Sequence, residues 1–98
     1  MELSGKQRAA LRSLANTLET THQIGKEGLG ENSIKSFSDY LEVHEIMKVR
    51  VLETAPNSAR ELCDLACEAL GAAPVQVIGM RFVIFRPSAS EKNRKIKI

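Results

Sequence analysis

The chain has no tryptophan, one tyrosine and three phenylalanines. Its core must therefore come chiefly from Leu, Ile, Val and Ala, and exposed aromatics on which nucleic-acid bases could stack are not evident. Cysteine is scarce: Cys63 and Cys67 lie one turn apart in a helical pattern. Their Cα atoms sit near the upper limit for bridging, with poor geometry, so a mutual disulfide is disfavoured and a reducing, cytoplasmic setting is indicated. No apolar run approaches the roughly 18 residues of a membrane span, and Met1 to Lys6 carry no signal-peptide pattern. There is no Walker sequence, nucleophile elbow or metal motif. Carboxylates are scattered as Glu31, Asp39 and Glu42 on one helical pattern and Glu61, Asp64 and Glu68 on another. They read as solvated faces with i, i+4 neighbours such as Glu31 with Lys35 and, repulsively, Asp64 with Glu68. The expectation is a non-enzymatic protein with no cofactor, metal or small-molecule substrate.

What is present fits one domain: 98 residues, 43% of them hydrophobic, are enough for a core without staples. Net charge is only +2, but it is unevenly placed. Arg86, Lys92, Arg94, Lys95 and Lys97 stand against Glu91 alone, leaving the body before them with a slight acidic excess. Residues 89–98 are thus expected to form a basic, flexible tail beyond a domain spanning 1–88. Such a tail is either a nucleic-acid arm or an ordinary solvated end.

Hydrophobic spacing predicts the order α-β-α-β-α-β-β. Ser4 and Gln7 form a capping box, and Leu11, Leu14, Ala15 and Leu18 recur at helical spacing, giving a first helix over 5–16. A short strand over 20–24 leads into Gly25. Ile34, Phe37 and Leu41 mark a second helix over 31–43. The next run alternates, with Met47, Val49 and Val51 on one face and Ile46, Lys48, Arg50 and Leu52 on the other. Asn57 is the expected N-cap of a third helix, which buries Ala59, Leu62, Cys63, Ala66, Ala69 and Leu70 and closes at Gly71. Gly79-Met80 then reads as a two-residue hairpin pairing Ile78 with Arg81, Val77 with Phe82, Gln76 with Val83 and Val75 with Ile84. Helices two and three should cover the wholly apolar sheet face, and helix one the mixed face, with Lys48, Arg50 and Arg81 at its margin.

The most suggestive stretch is Ile24-Gly25-Lys26-Glu27-Gly28-Leu29-Gly30, a G-x-x-G turn between a strand and a helix. Glycines permit positive φ and close approach, and a following helix aims N–H groups and a positive dipole end at the turn. That suits a phosphate, as it also suits an ordinary connection; Glu27 opposes the first. Cys63, Cys67, His22 and His44 lack zinc spacing, and buried small residues are the simpler account of the thiols.

Five ordered blocks carry a resemblance: Leu3-Ser4-Gly5-Lys6-Gln7-Arg8 with Leu11-Arg12-Ser13-Leu14-Ala15; Gln23-Ile24-Gly25-Lys26-Glu27-Gly28-Leu29; His44-Glu45-Ile46-Met47-Lys48-Val49-Arg50-Val51; Val75-Gln76-Val77-Ile78-Gly79; and Phe85-Arg86-Pro87-Ser88. Together they resemble the small bacterial YhbY-like proteins, stand-alone members of the CRM-domain RNA-binding family, over residues 2 to 88. The resemblance implies a single α/β domain with a four-stranded mixed sheet, similar to the C-terminal domain of translation initiation factor three. It implies RNA as partner, ribosomal RNA in precursors of the large subunit, and a bacterial cytoplasmic location. Carried over by position, Gly25, Lys26, Glu27 and Gly28 are the RNA-contacting loop, and Lys6, Arg8, Arg12, Lys48, Arg50 and Arg86 the basic surface. The alternative is an adaptor that docks on a ribosomal protein or assembly factor. Three positions depart from the family pattern: Gly30 replaces a capping Thr or Ser, Met80 a basic residue beside Arg81, and Phe85 a Tyr.

Overall fold

Two capping boxes decide where the first and third helices begin. In the computed structural model, which describes residues 2–97, the Ser4 hydroxyl accepts from the Gln7 N–H while the Gln7 side chain accepts from the Ser4 N–H, starting α1 (Gly5–Ala15). Ser58 and Glu61 repeat the arrangement at the start of α3 (Ala59–Leu70). The cap is therefore Ser58 and not Asn57, because only Ser58 has a partner three residues on that can return the bond. Gly71 closes α3 at φ 64°, as a C-terminal glycine should.

Between them lie β1 (His22–Ile24), α2 (Glu31–His44) and β2 (Ile46–Val51), and after them β3 (Ala73–Ile78) and β4 (Arg81–Phe85). The four strands form one mixed sheet in the order β1-β2-β4-β3, with β1 parallel to β2 and the other neighbours antiparallel. Alternation in β2 divides the core as expected. Met47, Val49 and Val51 join Phe82 and Ile84 beneath Phe37 and Leu41 of α2 and Leu62, Cys63 and Ala66 of α3. On the other face, Ile46, Val83 and Phe85 meet Leu11 and Ala15 of α1.

The hairpin holds for three of its four expected pairs. Beyond Gln76 and Val83 the register slips, and Pro74, not Val75, stands opposite Ile84. Val75 is the extra residue of a bulge, a place where proline's missing N–H is tolerated. The slip moves its side chain to the α1 face, among Leu11, Ala73 and Phe85. Three smaller expectations also shift. Leu14 is 42% exposed, because α1 docks through Leu11 and Ala15 and Leu14 lies about 60° around the helix to one flank. Ala69, expected on the buried side of α3, is exposed, while Cys67 is buried as the reading of the thiols has it. Lys35 pairs with Asp39 at 3.0 Å instead of with Glu31.

Where a flexible tail was expected, residues 88–96 lie against the C-terminal end of α2. Buried Glu45 takes the left-handed C-cap of α2 at φ 68°. Its carboxylate accepts the N–H groups of Ser88 at 2.9 Å, Lys95 at 2.7 Å and Ile96 at 3.2 Å. Glu42 does likewise for the Ser88 hydroxyl and the Ala89 and Ser90 N–H groups. A charge count along the chain cannot show this, because the carboxylates that gather the segment lie more than forty residues upstream.

Candidate nucleic-acid interface

Strand directions bring the C-terminal ends of β1, β2 and β3 and the start of β4 to one end of the sheet. That end therefore carries the Gly25–Gly28 turn, the 52–58 loop and the Gly79-Met80 hairpin tip. The Gly28 N–H donates to the Gly25 carbonyl at 3.0 Å, closing the turn. Of its residues only Gly28 has positive φ, 68°, so Lys26 and Glu27 occupy ordinary turn conformations and Gly28 alone requires glycine. A Cβ on Gly28 would also come within 3.0 Å of the Pro56 ring, whereas one on Gly25 would meet Leu52 at an ordinary 3.5 Å. The 52–58 loop thus braces the turn from behind.

Lys26 and Glu27 are both exposed. Gln23, Gly25, Lys26, Glu27 and Ser33 border one hollow beside the turn, while Glu27 and Glu31 border a second, over the start of α2. Gly30 is the N-cap of α2 and supplies no side-chain bond. Two carboxylates at this helix start work against the attraction of its N–H groups for a phosphate. The loop's positive character comes from Lys26 on the β1 side.

The sheet adds what the loop lacks. Gln23 stands opposite Arg50, Arg50 opposite Arg81, and Arg81 opposite Ile78. All four are exposed, so a single rung crosses all strands on the α1 face, with Gln23 two residues before the turn. Alternation of β2 pointed to Arg50. Arg81 was visible as a margin residue but not as its partner, and Gln23 carried no signal until the register joined it to the rung. Lys48, on the same face, is committed differently: its ammonium donates to the Leu18 carbonyl at 3.1 Å and ties the end of α1 to the sheet.

Other expected residues are not gathered here. Lys6 is exposed on α1. Arg8 and Arg12 border a groove at the outer edge of β3, together with Arg60 of α3, a residue no sequence signal had singled out. Arg86 lies on the far side of the sheet, between α2 and α3. Its guanidinium donates to the Ser38 carbonyl at 2.9 Å and the Leu70 carbonyl at 3.1 Å and sits 3.6 Å from Glu42. That is a brace between the middle of α2 and the C-terminal end of α3, not a free charge.

The histidines and cysteines are taken up in packing. His22 packs edge-on against Phe37 and Tyr40, with centroids 5.2 and 4.8 Å away, and its burial lowers its pKa. Tyr40 stacks on His44. Cys63 and Cys67 are free and buried; the hydrogen bond that Cys67 donates to Cys63, with burial, pushes the Cys67 thiol up, away from the thiolate a nucleophile needs.

The fold and this end of the sheet define a class: a small α/β domain that offers a glycine turn and basic side chains on open strands, not a pocket. The chain belongs to the CRS1/YhbY (CRM) domain family, whose sequence model matches residues 3–86. It is 32% identical over 96 residues to "Probable RNA-binding protein YqeI" of Bacillus subtilis (strain 168), covering 98% of each chain. It is also 32% identical over 90 residues to a protein of Haemophilus influenzae named RNA-binding protein, covering 92% of this chain and 91% of that one. The solution structure of a Staphylococcus aureus protein, described as a candidate RNA binder, superposes with a TM-score of 0.78 at 42% identity, covering 98% of this chain and 100% of that one.

Proposed function

We propose that this protein binds RNA without catalysing a reaction, and that its RNA is ribosomal, in precursors of the large subunit in the bacterial cytoplasm. The observation that carries the reading is the exposed rung Gln23, Arg50, Arg81 and Ile78 beside the turn of Lys26. Arg50 and Arg81 hold backbone phosphates with forked guanidinium donors, Lys26 adds a point charge, and Gln23 supplies amide donors and an acceptor. Contacts of this kind position RNA without reading its sequence, so shape and single-stranded segments decide the target. The names of the relatives support RNA as partner; the ribosomal target rests on the family resemblance.

The test is sedimentation of cell extract in a gradient, with and without RNase, followed by crosslinking to identify bound RNA. Salt-sensitive, RNase-sensitive comigration with large-subunit precursors is expected. Association with those particles that resists both treatments would instead favour an adaptor docking on a ribosomal protein or assembly factor. The observation on that side is the apolar hairpin end, where Ile78 is 64% and Met80 43% exposed.

A further inference from the structure

The outer edge of β3 carries a second concentration of charge. Arg8 and Arg12, one turn apart on α1, face it from one side and Arg60, in the first turn of α3, from the other. Between them Val75, Gln76 and Val77 form the floor of a groove of about 380 Å³, and no acidic residue lines it. The three arginines form no salt bridge among the described residues. An open groove with three unpaired guanidinium groups calls for an anionic occupant.

Two kinds of anionic polymer could enter such a groove, and the edge itself discriminates between them. An acidic peptide would bind by adding a strand, which needs a run of outward N–H and C=O groups. Here Pro74 has no N–H, and the bulge at Val75 breaks the ladder. Val77, in the non-hydrogen-bonded pair with Phe82, is left to present one outward N–H and one outward C=O. What the groove retains is guanidinium chemistry, whose planar fork fits a phosphate.

Its position points the same way. Gln76 borders this groove and also the hollow that contains Lys48 and Arg81. The arginines of the β3 edge are therefore continuous, across Gln76, with the rung that leads to the glycine turn.

We propose that the groove formed by Arg8, Arg12 and Arg60 is a second phosphate-binding site for an RNA backbone, separate from the loop and the rung. This rests on the RNA-binding reading. It assigns Arg60 a binding role and makes the RNA path run from the turn, over the α1 face of the sheet, to the β3 edge.

The test is fluorescence anisotropy over a salt series, using a labelled single-stranded RNA oligonucleotide long enough to reach from turn to edge, with labelled polyglutamate as a second probe. Wild type, Lys26→Ala, Arg60→Ala, Arg60→Lys and the double variant Arg8→Ala/Arg12→Ala are compared, with thermal melts confirming that each is folded. Each arginine lost from a phosphate should lower the magnitude of the slope of log K against log salt by about 0.7, and Arg60→Lys should keep the wild-type slope. The loss in Arg60→Ala should add to that in Lys26→Ala, as distant sites do. A wild-type slope in Arg60→Ala and in the double variant, with Lys26→Ala still weakened, would overturn the groove and leave RNA binding standing. So would polyglutamate binding abolished by groove variants whose RNA binding is unchanged. Absence of RNA binding by the wild type would overturn the underlying reading itself.

Discussion

Arg50 and Arg81 face each other across the antiparallel ladder of β2 and β4. The next pair is joined by the Val51 N–H donating to the Met80 carbonyl, so Arg50 and Arg81 form a non-hydrogen-bonded pair, the kind in which side chains approach most closely. Like charges so placed cost stability, on the order of 0.2–1 kcal/mol. Arg50→Ala or Arg81→Ala should therefore weaken RNA binding and lower the salt slope, while leaving the urea midpoint unchanged or slightly raised. A marked drop in the midpoint would mean that these side chains serve the fold.

The two glycines of the turn should separate. Gly28 has φ 68° and its Cβ would crowd Pro56, so Gly28→Ala should cost about 1–2 kcal/mol in a urea melt. Gly25→Ala meets only ordinary contacts and should stay close to wild type. Gly28 is thus an unsuitable position for testing RNA contact alone, and Lys26→Ala is the cleaner probe.

Glu27 borders both hollows beside the turn. Glu27→Gln removes a negative charge without changing size, so RNA affinity should rise at low salt and the gain should shrink as salt screens it. Anisotropy at two salt concentrations measures this; an unchanged affinity at both would place the carboxylate away from the RNA.

Glu45 holds the C-terminal segment. Burial raises its carboxyl pKa, but N–H donors from Ser88, Lys95 and Ile96, with the charge of Arg94, outweigh it and bring the pKa below the ordinary value. Stability from this group is present above the ordinary carboxylate pKa and is lost as pH falls through the lowered value. Glu45→Ala should cost roughly 1.5–3 kcal/mol and speed hydrogen exchange at Lys95 and Ile96. Glu45→Gly should lose less, since glycine accepts the positive φ without strain.

His22 gives a slope of the same sign, nearer neutrality. Its pKa is lowered by burial against Phe37 and Tyr40, so the unfolded chain binds protons first as pH falls below about 6.5. Stability should decline from about pH 7 to pH 5.5, a span in which carboxylates of ordinary or lowered pKa stay ionised. The decline should flatten in His22→Phe, as thermal melts across that range would show.

Much of the fold was legible because its determinants are local. Period-two alternation in β2 assigned each side chain to a sheet face, and the Ser4 box and Gly71 marked helix ends. The Ser58 box was equally local, though Asn57 obscured it. The bulge at Val75 was not visible, since register depends on two strands and a proline whose effect on pairing shows only when the partner is in place. The site divided in the same way. The glycine turn, Lys26 and Arg50 followed from residue type and spacing. The rung from Gln23 to Ile78, the approach of Arg60 to Arg8 and Arg12, the diversion of Arg86 to Ser38 and Leu70, and the capture of the C-terminal segment by Glu42 and Glu45 did not. Local residue order specifies which elements form and which side chains are charged; packing of those elements selects which charges stand together and which are consumed by the fold. A charge's partners are set by distance in space, and residues far apart along the chain become neighbours only when the strands take their order.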